Sequence, residues 1–139
     1  MLKILYIADL DISKGGGQRR AYEVIRRIAR FNDVHVVSYG KPPVFKDEVC
    51  NSVSFCAELP RFDELSIANL KSFLTSFSLY LKAIKKCIAK IKPDIIVVTG
   101  EWMYPVNLAF YIYKNVKAPL AFVVHEVPII CTISWDQYI

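Results

Sequence analysis

Apolar and polar positions follow two rhythms along this chain, and the rhythm switches at short intervals. KILYIA at 3–8 is a continuous apolar run, the pattern of a strand buried on both faces. After three glycines, Ala21, Val24, Ile25, Ile28 and Ala29 recur at helical spacing, with Arg19, Arg20, Glu23, Arg26, Arg27 and Arg30 in the other positions. Asn32 and Asp33 close that helix, and VHVVSY at 34–39 is a second, β-branched run. Residues 40–44, with two prolines, read as loop. VSFCAEL at 53–59 is a third, weaker strand, stopped by Pro60.

Residues 63–92 contain few breakers. A break into two helices is expected at 75–78, where Thr75, Ser76 and Ser78 offer hydroxyls that compete with helical hydrogen bonds. The second half is sharply amphipathic: Leu81, Ile84, Ile88 and Ile91 face one way, and Lys82, Lys85, Lys86, Lys90 and Lys92 face out. Pro93 and Asp94 end it and launch DIIVVT, a fourth buried strand. A helix over 105–115 follows, with Pro105 in its first turn. Ala118 and Pro119 then lead into LAFVVH at 120–125, a fifth buried strand ending on His125. Strands alternating with helices predict a parallel sheet with right-handed crossovers. The expected fold is therefore α/β, a Rossmann-like doubly wound sheet in three α/β/α layers. Beyond His125 the chain reads EVPIICTISWDQYI with no closing helix, so residues 1–139 are expected to be one truncated domain.

Composition narrows the class. With 139 residues, 54% hydrophobic and 22% charged, the chain is long enough for one core and too apolar for disorder. Its apolar runs are too short to span a bilayer. Asp9 and Asp11 stand where a cleavable signal needs small residues, so a cytoplasmic location is expected. Cys50, Cys56, Cys87 and Cys131 have neither zinc-ligand nor thioredoxin spacing and read as small buried hydrophobes or free thiols; no metal is expected. A net charge of +5 suits an anionic partner without choosing between phosphate, lipid headgroup and nucleic acid. No nucleic-acid recognition motif appears, which removes the last.

In an open α/β sheet, ligands bind outside the carboxyl ends of the strands. Four stretches qualify: 9–17, 40–43, 99–102 and the pair His125 and Glu126. Gly15, Gly16 and Gly17 follow the first strand and open a helix, where backbone N–H groups and the helix dipole hold phosphate; a flexible connection is the alternative. Arg20 stands where a dinucleotide fingerprint needs its third glycine, and no acid ends the second strand. Lys14 precedes the glycines, whereas a triphosphate loop needs lysine at the helix start. NAD and ATP are therefore disfavoured, and no cofactor is expected. Asp9 and Asp11 are either site acids or loop residues. Arg20 either assists an anion or is solvated surface. His125 is a candidate catalytic group by its position, and His35, inside the second strand, reads as structural. Glu101 either caps a helix or touches substrate. The lysine face of 82–92 is either a solvated surface or a contact for anionic membrane.

These stretches together resemble a family. MLKILYIAD, GGGQRRAYEVIRRIARFNDVHVVS, KPDIIVVTGEW and APLAFVVHE, in that order, are similar to the N-terminal domain of retaining GT-B glycosyltransferases, the mannosyl/glucosyl-transferase group of family four. The resemblance implies one half of a two-domain GT-B architecture, with acceptor bound on this half and nucleotide-diphosphate sugar mainly on the other. It implies that Gly15, Gly16, Gly17 and Arg20 approach the donor diphosphate and sugar, and that His125 lies near the transferred sugar with Glu126 beside it. Asp9, Thr99, Glu101 and Glu126 become acceptor-side candidates, for a glycan or lipid-linked acceptor. Val97 and Thr99 stand where relatives commonly carry histidines. A peripheral site at the inner membrane face would suit Lys82, Lys85, Lys86 and Lys90. Without the paired-glutamate donor domain this chain is expected to transfer sugar poorly or not at all, and a non-catalytic anion- or membrane-binding module is the alternative.

Overall fold

The computed structural model describes residues 1–13, 15–39, 53–59, 70–100 and 103–123. In chain order the elements are β1 (Lys3–Asp9), α1 (Gly16–Ile28), β2 (Asp33–Tyr39), β3 (Val53–Leu59), α2 (Leu70–Ile91), β4 (Ile95–Thr99), α3 (Met103–Asn115) and β5 (Leu120–Val123). All four strand pairings are parallel, in the order β3-β2-β1-β4-β5. This is the expected α/β, Rossmann-like arrangement.

Alternation along each strand splits the core into two layers. Leu5 and Ile7 of β1, Val37 of β2, and Ile96 and Val98 of β4 face one way, against Tyr80, Ile84, Cys87 and Ile91 of α2 and Leu108 and Ile112 of α3. Tyr6, Ala8, Val34 and Val36 face the other way, against Ala21 and Ile25 of α1 and Ala29 just past its end. Five consecutive residues of β1 are buried, which is why its sequence is an unbroken apolar run. Burying each of the large aliphatic side chains contributes about 1.5–3 kcal/mol.

Polar side chains sew the edge where the strands begin. Asn32 donates from Nδ2 to the Ile28 carbonyl at the end of α1 and accepts the Leu2 N–H on Oδ1, at 3.1 and 3.2 Å. Asp94 accepts the Lys3 N–H at 2.8 Å through Oδ2 and donates its own N–H to the Lys3 carbonyl at 2.8 Å. Lys92, with φ of 51°, closes α2 in the left-handed conformation; its N–H reaches the Ile88 carbonyl at 2.8 Å, and Pro93 prevents continuation.

Four expectations need correction. The break at 75–78 is absent: α2 runs unbroken through it. Thr75 and Ser78 sit on exposed positions, so burial of the opposite stripe from Tyr80 to Ile91 holds the helix despite their propensity. β5 is an edge strand covered on one face, because α1 packs over β1 and β2 and does not reach it: Leu120 and Phe122 pack on the α2–α3 layer, while Ala121 and Val123 are exposed. Val24, counted in the apolar stripe of α1, is also exposed. Helix α3 starts two residues before the expected position, which leaves Pro105 inside the first turn, where it is tolerated. The expected loop at 40–43, Cys50, Cys131 and the tail beyond β5 lie outside the described residues.

Burial holds several acids protonated. Tyr6 and Tyr80 are each pushed up to about 12, and Cys56 up to about 11, in each case first by burial. The unfolded chain ionises these groups earlier, so it binds fewer protons than the native state and unfolding becomes easier as pH rises. Stability should be complete below about pH 9, the ordinary thiol value, and decline from there to about pH 12. Urea midpoints measured across that range should fall steadily, and Tyr6→Phe should show a shallower fall.

Candidate functional site

The strand order reverses at β1: the chain steps outward from it to β2 and β3, then returns through α2 to β4 on its other side. α1 packs on one face of the sheet and α3 on the other, so the chain leaves β1 and β4 toward opposite faces. This is the arrangement in which open α/β sheets carry a crevice at the carboxyl edge. Ile7 pairs with Val98, so Asp9 at the end of β1 and Thr99 at the end of β4 share that edge. The glycine stretch leads from there into α1.

The loop from β1 to α1 is held by its own side chains. Asp9 accepts the Asp11 N–H at 3.0 Å, and Asp11 accepts the Ser13 N–H at 3.2 Å and also the Ser13 hydroxyl. Gln18, in the first turn of α1, makes a long 3.5 Å contact from Nε2 to Asp9 Oδ2. Arg19 reaches back with Nε to the Ile12 carbonyl at 3.2 Å. Asp9 and Asp11 thus serve as loop residues, each fixing the backbone two residues on. Arg19 acts as a brace, while Arg20 is exposed and makes no ion pair among the described residues.

The N-terminus of α1 is left open. Gly15, at the cap position, is extended (φ 171°), no side chain caps the helix, and no acid lies in its first turn. The Arg19 N–H is returned to the Gly15 carbonyl at 3.3 Å, whereas the N–H groups of Gly16, Gly17 and Gln18 precede the first possible intrahelical acceptor. A Cβ on Gly15 would meet only Gln18 Oε1, at 3.0 Å; one on Gly16 would meet nothing within 4 Å. Neither backbone angle nor packing therefore demands glycine at 16. Among the described residues no side chain caps this end, so it presents three N–H donors and a positive dipole pole, an arrangement able to hold an anion.

Beneath the crevice lies a link absent from the sequence reading. Tyr39, the last residue of β2, donates its hydroxyl to the Thr99 carbonyl at 2.6 Å, crossing the face of β1 to reach β4. Thr99 itself is buried, so its backbone serves here as an acceptor inside the sheet edge. A tyrosine at the carboxyl end of a strand beside the reversal was the available signal.

Other candidates lie elsewhere or beyond view. His125, Glu126 and Glu101 are outside the described residues. Lys82, Lys85, Lys86 and Lys90 are all exposed, but on the half of α2 that runs toward the edge where the strands begin, away from the crevice. Lys85 is partly engaged: its Nζ stands 5.1 Å from the centre of the Tyr111 ring on α3. His35 bridges Asp33, at 3.1 Å, and Ser54 of β3, in keeping with a structural role. Among the described residues, no group of three or more His, Cys, Asp or Glu could hold a metal ion, and no helix is long and apolar enough to cross a membrane.

Two crystal structures of the C-terminal domain of a hydrogenase from Pyrococcus furiosus are similar in fold. One has a TM-score of 0.55 at 15% identity, covering 86% of this chain and 89% of that one. The other has a TM-score of 0.54 at 16% identity, covering 87% and 90%. No family model matches the chain, and no curated protein matches it.

Replacing Tyr39 tests the link under the crevice. Tyr39→Phe removes the hydroxyl and leaves the buried Thr99 carbonyl short of a donor, which should cost about 1–2 kcal/mol in urea unfolding.

Proposed function

We propose that this chain is the acceptor-side half of a glycosyltransferase that moves a sugar from a nucleotide-diphosphate donor to a glycan or lipid-linked acceptor. The observation that carries the reading is the uncapped, acid-free start of α1 behind a bare glycine stretch, at the point where the strand order reverses. A diphosphate laid against Gly16 and Gly17 would accept their N–H groups, and the exposed Arg20 would add a cation. Departure of the nucleotide leaves charge on that diphosphate, so donors already aimed at it would lower the barrier without reorganising. Asp9 holds the loop in place, and Thr99 holds the opposite wall through its carbonyl. A second domain would supply the remainder of the donor site, and His125 with Glu126 would face the sugar.

Gly16→Val discriminates well because its Cβ enters open space: the variant should fold with stability changed by no more than about 0.5 kcal/mol. Isothermal titration with UDP-glucose, GDP-mannose and inorganic pyrophosphate should show binding to the native chain, weakened about tenfold or more in Gly16→Val and in Arg20→Ala. Equal binding by native and variant chains would remove the loop from the site.

A second reading, a non-catalytic module on an anionic membrane surface, is favoured by the exposed lysines of α2. Replacing Lys82, Lys86 and Lys90 with Gln should weaken co-sedimentation with phosphatidylserine vesicles by about 100-fold. Undiminished sedimentation would retire it.

A further inference from the structure

The edge of the sheet opposite β5 carries a pair of thiols that the glycosyl-transfer reading does not use. β3 pairs with β2 in register up to Val36 and Phe55, then skips a residue so that Val37 meets Ala57. Cys56 is the residue skipped. In a regular strand neighbouring side chains point to opposite faces, yet Cys56 and Ala57 both pack against the layer that contains α2. The bulge has turned the Cys56 side chain inward, an effect bulges produce at sheet edges. Cys87, buried on the inner stripe of α2, belongs to that same layer, and Cys56 packs against the cluster that holds it. Both are free, with Cys56 only half-buried and so open to small solutes.

We propose that Cys56 and Cys87 form a reversible disulfide that straps the outer strand β3 to α2 when the protein meets a hydroperoxide. The Cys56 thiolate attacks one peroxide oxygen; the O–O bond breaks, giving a sulfenic acid on Cys56, and the other oxygen leaves as water or alcohol. The Cys87 sulfur then attacks the sulfenyl sulfur, the S–O bond breaks, and the departing hydroxide takes the Cys87 proton as water. Two sulfurs have lost two electrons and the peroxide has gained them. A second thiol in the same packed layer favours this second step over further oxidation. Burial holds both thiols protonated, so the first step runs through a small thiolate fraction and quickens as pH rises. Lys90 on α2, which favours both thiolates, Lys86, which favours that of Cys87, and Asp33 at the start of β2, which opposes that of Cys56, are the charged groups acting on the pair.

The test treats the full chain with hydrogen peroxide at about pH 9, where the small thiolate fraction of Cys56 exceeds that at neutral pH. Remaining thiols are alkylated under denaturing conditions, and the digest is mapped by mass spectrometry. The expected product is a peptide pair joined through Cys56 and Cys87, two hydrogens lighter than its thiol parts and split by dithiothreitol. It should persist in a Cys50→Ser/Cys131→Ser double variant. Oxidation should also raise the thermal midpoint by on the order of 10 °C, a shift that Cys56→Ser should not show. Cys56 joined instead to Cys50 or Cys131, or all four thiols still alkylated after peroxide, would overturn the proposal.

Discussion

Everything in this fold depends on how the backbone of a central parallel strand is satisfied. β1 is hydrogen-bonded on both sides and covered on both faces, so its neighbours must arrive by crossovers from both directions. A chain that steps away from β1 through α1 can return to its free side only by a longer path, here through α2. That return reverses the strand order and parts the loops after β1 and β4. The crevice is therefore a consequence of closing the hydrogen-bond ladder of one strand.

Around the crevice the protein spends its polar side chains on rigidity. Asp9, Asp11 and Ser13 form consecutive side-chain-to-backbone turns, Arg19 ties the helix back to Ile12, and Tyr39 reaches under β1 to Thr99. The first N–H groups of α1 receive no such partner from a side chain or from a first-turn acid. A loop braced by these bonds, with uncapped donors at the helix start, suits an anion that arrives and leaves. By contrast, the lysine face of α2 points away from the crevice, and the paired thiols sit at the far strand. The open start of α1 thus lies apart from α2, where the lysine face and Cys87 share one helix.

Much of this was legible in the pattern of residue types. Both-face burial of β1 shows as KILYIA, the inner stripe of α2 as Ile84 and Ile91, and the open helix start as three glycines with no acid behind them. The misreadings came where local preference and packing disagree. Hydroxyls at 75 and 78 disfavour a helix in isolation, yet their exposed positions cost little once the opposite stripe is buried. LAFVV looks like a central strand, but composition cannot distinguish the last strand of a sheet from an inner one.

The sequence by itself determined the kind and order of the elements, because periodicity is a local property set by which face of a helix or strand meets water. It also determined that a bare loop follows the first strand. Only the tertiary structure decided which strands are neighbours, and therefore which distant side chains meet. Tyr39 and Thr99 stand 60 residues apart in the chain. Cys56 packs into the layer that holds Cys87 only because one strand bulges at a single residue. Such contacts depend on sheet order and register, which arise when the two layers of the core close together and leave no trace in the spacing of residues along the chain.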